Sequence, residues 1–161
     1  MGMPLKTGLL TVLITTTLLS WASFINAQES IIAPECNITI DSTDTVRFDT
    51  DSIIVSSACD EFTVSLTHSG RLAGNVMGHN WVLSKMTDAN AVANEGIVAG
   101  LEENYLKPGD KRVIAATEVI GGGESTSVTF DVDKLKKGGS YVFFCSFPGH
   151  TSLMKGTLEL H

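Results

Sequence analysis

Four side chains in this sequence carry donor atoms in a pattern that suits one metal ion. Cys145, His150 and Met154 share a short C-terminal segment, Cys-Ser-Phe-Pro-Gly-His-Thr-Ser-Leu-Met, with the spacing C-x4-H-x3-M, and a second histidine, His79, follows Gly78 far upstream. One thiolate, two imidazoles and one weak thioether form the donor set of a trigonal copper site with an axial methionine. Copper(I) prefers soft sulfur and copper(II) prefers imidazole nitrogen, so this mixture suits both oxidation states and keeps reorganisation between them small. Zinc accepts the same donors, but a catalytic zinc centre keeps an open position with a general base nearby. The sequence has no H-E-x-x-H motif and no acidic residue adjacent to any of the four. Taken singly, each residue has a plainer role: a small buried cysteine, a core methionine, a solvent-facing loop histidine. The joint pattern is what favours the metal.

Holding such a site requires rigid elements on either side of the loop. The apolar run Tyr141-Val-Phe-Phe leads into Cys145, Phe147-Pro148-Gly149 supplies a tight turn ahead of His150, and Met154 opens the closing strand Lys155-Gly-Thr-Leu-Glu-Leu. His79 lies in Asn75-Val-Met-Gly-His-Asn-Trp, a second loop expected at the same end. Elsewhere Asn37-Ile-Thr-Ile-Asp, Thr45-Val-Arg-Phe-Asp, Phe62-Thr-Val-Ser-Leu and Ser127-Val-Thr-Phe-Asp-Val alternate polar and apolar residues. Turn residues intervene at Ser69-Gly70, Pro108-Gly109-Asp110, Gly121-Gly122-Gly123 and Gly138-Gly139. Period-two strands at this spacing predict an all-β domain, an antiparallel sandwich or barrel. The alanine-rich stretch after Thr87 predicts one short helical flap around residues 87–101. Thr87 or Asp88 caps it, Ala91, Val92, Ile97, Val98 and Leu101 form its apolar face, and Gly96 and Gly100 are its weak points.

The 161 residues include 11 basic and 18 acidic side chains, a formal charge of −7. An acidic chain of this kind does not bind nucleic acid by neutralising phosphates. Residues 1–27 read as a secretory signal peptide: Lys6, an apolar centre Leu9-Leu-Thr-Val-Leu-Ile, and a small residue, Ala27, at the break. Their removal takes away one basic residue and no acid, which leaves −8. No later segment approaches the roughly 20 apolar residues of a membrane span. In an oxidising compartment Cys36 and Cys59 are candidates to pair, and the odd cysteine, Cys145, is either a metal ligand or one half of an intermolecular disulfide.

From about Pro34 to His161 the chain resembles the azurins, small periplasmic blue-copper proteins of the cupredoxin family. The likeness rests on Asn75-Val-Met-Gly-His-Asn-Trp-Val-Leu-Ser, Tyr105-Leu-Lys-Pro, Arg112-Val-Ile-Ala, Ser127-Val-Thr-Phe-Asp-Val, Lys134-Leu-Lys, Phe143-Phe-Cys, Phe147-Pro-Gly-His and Leu153-Met-Lys-Gly-Thr-Leu. The resemblance implies a Greek-key β-sandwich over residues 36–161, preceded by a short extension at 28–35. It implies one type 1 copper held by His79, Cys145 and His150, with Met154 axial and the Gly78 carbonyl opposite. Asn80 would tie the two ligand loops together, and the backbone N–H groups of Asn80 and Phe147 would point at the Cys145 sulfur. Cys36 and Cys59 fall on the family's disulfide, and Trp81 on its core tryptophan. Val46, Leu72, Val76, Met77, Phe147, Pro148, Gly149 and Leu153 would surround an exposed edge of His150 as a docking patch. His68 falls near the metal without binding it, either as a buried structural histidine or as a group that couples pH to potential.

The expected role is a one-electron shuttle in the periplasm, a carrier and not an enzyme. Its partners would be redox proteins such as a c-type cytochrome and a terminal reductase or oxidase. The alternative is a periplasmic copper-sequestering or copper-delivery protein using the same donors.

Overall fold

Among the described residues the chain forms nine strands. The structure, a computed structural model, describes residues 1–2 and 34–161. The export signal expected over 1–27 and the extension over 28–35 therefore lie, in all but their ends, outside the described residues. In chain order the elements are β1 (Asn37–Thr43), β2 (Arg47–Phe48), β3 (Ser52–Val55), β4 (Glu61–His68), α1 (Gly74–Met77), β5 (Val82–Lys85), α2 (Ala89–Gly96), β6 (Val113–Ala116), β7 (Ser125–Asp131), β8 (Tyr141–Phe144) and β9 (Lys155–Leu160). They make two sheets with strand orders β2-β1-β4-β7 and β3-β9-β8-β5-β6. This is the Greek-key sandwich expected, although neither sheet is wholly antiparallel. β1 pairs with β4, and β3 with β9, in parallel. Between β2 and β4 the chain crosses to the other sheet to lay down β3. It thus returns to β1 by a crossover and not by a hairpin, and a crossover delivers a parallel neighbour.

β4 shows how the sequence pattern builds the core. Phe62, Val64, Leu66 and His68 point inward and are buried, while the residues between them face outward. β8 breaks the rule, since all four of its residues are buried. Tyr141 and Phe143 join the main core with Trp81, whose ring stacks against Phe143 and Phe130 at centroid distances of 5.9 and 6.3 Å. Val142 and Phe144 face the other way, into a second cluster with Val82, Ala89, Val92 and Ala93. The flap covers the outer face of β8, so no polar alternation is selected there. Cys145 continues the inward parity of Tyr141 and Phe143 and enters the main core fully buried.

The flap is shorter than the sequence predicts, and its buried face is shifted. Helix α2 ends at Gly96 and is followed by 3-10 turns at Ile97–Ala99 and Leu101–Glu103, separated by Gly100 at φ +77°. Its buried residues are Ala89, Val92, Ala93 and Gly96, a clean i, i+3, i+4, i+7 stripe. Ile97 and Val98 of the expected face are exposed instead. Asp88 occupies the N-cap position but makes no side-chain capping bond. Arg112 pins the flap from outside, donating to both Glu95 oxygens at 3.1 and 2.8 Å and to both Asp110 oxygens. The disulfide Cys36–Cys59 ties the start of the domain to the segment leading into β4.

Candidate metal centre

Two loops at one end of the sandwich converge on a buried point. The first carries His79. Its backbone is clamped to Ile120 by a reciprocal pair of hydrogen bonds, 3.0 and 2.9 Å. Its Nε2 donates to the Thr43 carbonyl at 2.9 Å, which fixes the tautomer and leaves the Nδ1 lone pair facing the site. The ring of His68 stacks on the opposite side at 4.6 Å. The second loop leaves β8 at Cys145, whose N–H donates to the Met154 carbonyl at 3.0 Å. Phe147-Pro148-Gly149-His150 then forms a turn with the His150 N–H donating to the Phe147 carbonyl at 3.0 Å and Gly149 at φ +84°. Proline at the second position and a positive-φ glycine at the third are the marks of a type II turn. It brings His150 back over Cys145. The N–H groups of Leu153 and Met154 both donate to the His150 carbonyl, and Thr151 Oγ1 donates to the Cys145 carbonyl at 2.8 Å.

The ligating atoms meet. Cys145 Sγ lies 3.9 Å from His79 Nδ1 and 3.7 Å from His150 Nδ1, and all three atoms fall within 4.8 Å of one another. The Gly78 carbonyl oxygen is 4.0 Å from the sulfur. Met154 is fully buried beneath the same loop. A side chain on Gly78 would collide with the Gly74 carbonyl and with Val119, so only glycine lets the main chain come this close.

Burial sets the protonation of these groups in the metal-free protein. Desolvation pushes the Cys145 thiol up to about 11, against the pull of the Asn80 and Phe147 backbone N–H groups that face its sulfur. Desolvation also drives His79 down to about 4, helped by the charges His68 and His150 would carry and opposed by the Thr43 bond. Burial lowers His150 as well. Both imidazoles are therefore neutral and ready to donate at pH 7, and the thiol is the one ligand that must lose a proton. Two neutral nitrogens and a thiol converging at 3.7–3.9 Å fit a single thiophilic ion of the copper type.

Asn80 bridges the two loops. Wholly buried, it accepts from the Ser146 N–H at 2.9 Å and donates through Nδ2 to Ser146 Oγ at 2.9 Å and to the Asn104 carbonyl at 3.0 Å. Ser146 and Asn104 were not foreseen, nor was Thr43. A serine or asparagine in a loop has no periodicity to betray it, and the Thr43 contribution is a backbone carbonyl.

The remaining predicted residues sit at the surface of this end. Leu72, Val76, Gly149 and Leu153 are exposed, Val46, Met77 and Pro148 are half-buried, and Phe147 is buried. The Phe147 ring lies 4.7 Å from the His150 ring. His150 is 7 % exposed, and its Nε2 makes no hydrogen bond among the described residues. His68 donates or accepts at both ring nitrogens, to the Met77 carbonyl at 3.0 Å and from the Gly70 N–H at 3.0 Å.

Residues 34–161 match the family model described as copper binding proteins, plastocyanin/azurin family. The chain belongs to the plastocyanin/azurin family of copper-binding proteins. It is 59 % identical over 130 residues to an azurin of Bordetella pertussis, covering 81 % of this chain and 87 % of that one. It is 55 % identical over 130 residues to an azurin of Pseudomonas aeruginosa, covering 81 % and 88 %. A solved azurin from the obligate methylotroph Methylomonas sp. strain J superposes with a TM-score of 0.77 at 52 % identity, covering 80 % of this chain and 99 % of that one. With the family settled, the domain is a blue-copper cupredoxin with one copper, and His79, Cys145 and His150 are its candidate metal site.

Proposed function

We propose that this cupredoxin carries single electrons between redox proteins, and that the electron passes through the edge of His150. His79, Cys145 and His150 would hold the copper, with Met154 and the Gly78 carbonyl as further donors. A copper ion held there supplies a one-electron couple between its cupric and cuprous states. The protein's part is to keep the donors fixed. His79 is braced by Thr43, Ile120 and the His68 ring, and Cys145 by the Met154 and Thr151 hydrogen bonds. A shell held this way changes little when charge changes, which favours fast transfer.

The observation that carries the reading is the His150 edge. Its Nδ1 faces the cysteine sulfur and its Nε2 makes no hydrogen bond among the described residues, beside exposed Leu72, Val76 and Leu153. An apolar surface with one conductive edge suits a small, fast-releasing redox interface. A c-type cytochrome and a terminal reductase or oxidase are the partner classes we infer, with the chain exported to the periplasm by residues 1–27 and its copper domain beginning near residue 36. The role is that of a carrier and not a catalyst. A catalytic copper needs further histidines, and of the two that remain His68 has both ring nitrogens engaged while His161 lies near Glu159 on an exposed terminus.

Two measurements test this. Copper(II) added to the metal-free protein should give an intense blue thiolate-to-copper band that Cys145→Ser abolishes. The reduced protein should then pass its electron to an oxidised c-type cytochrome while keeping its copper. Slow transfer with ready copper release would establish the sequestering or delivery role instead.

A further inference from the structure

Outside the ligand loops, Asn104 and Tyr105 form a consecutive pair of unusual backbone conformation. Both residues adopt left-handed conformations, φ +55° and +51°, which non-glycine residues seldom accept. The pair is locked from behind, the Asn104 N–H donating to the Leu101 carbonyl at 2.8 Å and the Tyr105 N–H to the Gly100 carbonyl at 2.9 Å. Strain of this kind persists only where the surroundings over-determine it, and here the contacts it delivers all run towards the metal site.

The Asn104 carbonyl sits between the two ligand loops, accepting from Asn80 Nδ2 at 3.0 Å and from Ser146 Oγ at 3.2 Å. Asn80 directly follows His79, and Ser146 directly follows Cys145. The Asn104 side chain reaches a third segment: its Oδ1 accepts from the Val119 N–H at 2.7 Å. Val119 in turn packs on Gly78, its Cγ1 only 2.5 Å from where a Gly78 side chain would begin. The Tyr105 ring meets Phe147 edge-on at 5.1 Å, and Phe147 lies against His150. Two consecutive residues thus touch a neighbour of His79, of Cys145, of the Gly78 carbonyl and of His150. On its far side the turn rests on the flap, since Gly96, the last residue of α2, packs so closely that a side chain there would collide with the Tyr105 carbonyl.

We propose that the Asn104–Tyr105 turn, through Asn104 above all, is a positioning element of the metal centre that holds the ligand loops in register and couples them to the flap helix. The proposal rests on the reading that His79, Cys145 and His150 hold the copper. Asparagine is the non-glycine residue that tolerates this conformation best, whereas tyrosine has no such preference. Residues that orient metal ligands from behind typically change metal affinity by about 10–100-fold when removed.

Three variants separate positioning from general stability. Asn104→Gly keeps the left-handed turn and its carbonyl but deletes the bond to Val119. Asn104→Asp keeps an acceptor oxygen and the same backbone tolerance, and serves as the rescue. Gly96→Ala pushes on the turn from the flap without altering it. In the metal-free protein, Asn104→Gly should accelerate amide hydrogen exchange at Val119 relative to the core strands. In the copper protein, Asn104→Gly should raise the rate of copper release to a chelator by on the order of tenfold and change the relative intensities of the thiolate-to-copper bands. Asn104→Asp should restore both, and Gly96→Ala should shift the bands while the protein remains folded. Wild-type spectra and release rates in both Asn104→Gly and Gly96→Ala would overturn the proposal. If the wild-type protein gave no blue band, the copper reading would fail. The exchange data would then decide on the turn alone, and unchanged protection of Val119 and Ser146 would refute it.

Discussion

Replacing Asn80 by alanine tests how the two ligand loops are held together, because the structure says which groups are orphaned. Asn80 is wholly buried and makes hydrogen bonds to Ser146 and Asn104. After truncation the Ser146 hydroxyl still has the Asn104 carbonyl within 3.2 Å. The Ser146 N–H has no second partner, so it becomes a buried unsatisfied donor, costing about 1–3 kcal/mol. The lost side chain leaves a small void, worth about 1 kcal/mol more. The expected destabilisation of the metal-free protein is therefore about 2–4 kcal/mol. The opposite truncation, Ser146→Ala, leaves its own N–H bonded to Asn80 Oδ1, and should cost only about 1 kcal/mol. The asymmetry is the test. Urea unfolding of both variants and the double variant, followed by the emission of buried Trp81, gives the three energies and their coupling. Equal losses for the two single variants, or a loss below about 1 kcal/mol for Asn80→Ala, would show that the loops are tied some other way.

Two further expectations follow from the protonation of the site. Copper binding between pH 7 and 9 should release one proton per ion, because Cys145, pushed up to about 11, holds a proton while His79, driven down to about 4, does not; apparent affinity should then rise about tenfold per pH unit, and calorimetry in buffers of different ionisation enthalpy that counted two protons would contradict the assignment. The metal-free protein should be bounded on both sides in pH. The depressed His79 contributes stability that is complete above its ordinary value of 6.5 and is lost as pH falls towards 4, and the raised Cys145 contributes stability complete below 9.0 and lost as pH rises towards 11. Urea midpoints should be level between those limits, and a midpoint that climbed on acidification from pH 6.5 to 4.5 would be the wrong sign.

The parts of the site that were legible in the sequence are those fixed by short-range geometry. Cys145, the Phe147-Pro148-Gly149 turn and His150 lie within six residues, so strand parity and a type II turn place them without knowledge of the rest of the fold. His68, which the sequence placed near the site only by resemblance, is turned inward by the alternation of β4. Periodicity gives the face of a strand but not its partner, which is why the parallel pairings of β1 with β4 and β3 with β9 were not anticipated. The flap failed in an instructive way. Its composition was read correctly as helical, but the buried stripe is set by where Gly96 meets the Tyr105 carbonyl, a contact across the fold. Asn104 was invisible for the same reason: its importance lies in a left-handed backbone and in three long-range hydrogen bonds. The four-residue helix α1, which carries Val76 and Met77 into the surface beside the site, is too short for any periodic signal.

The two histidines of the site are held in different ways, and the difference bears on where an electron leaves. His79 is braced on every side: Nε2 by the Thr43 carbonyl, the ring by His68, the backbone by Ile120. His150 is held from its own loop, by the type II turn and the Phe147 ring, and its Nε2 makes no hydrogen bond among the described residues. A partner docking on Leu72, Val76 and Leu153 removes water from that nitrogen without having to break a protein hydrogen bond. The same approach to His79 would have to displace the Thr43 carbonyl, leaving a buried backbone acceptor unpaired at a cost of about 1–3 kcal/mol. One histidine is thus anchored by the surrounding fold and the other by its own loop. The turn that presents His150 also brings it against Phe147, whose opposite neighbour is Tyr105. Any movement of the Asn104–Tyr105 turn would therefore reach His150 through Phe147.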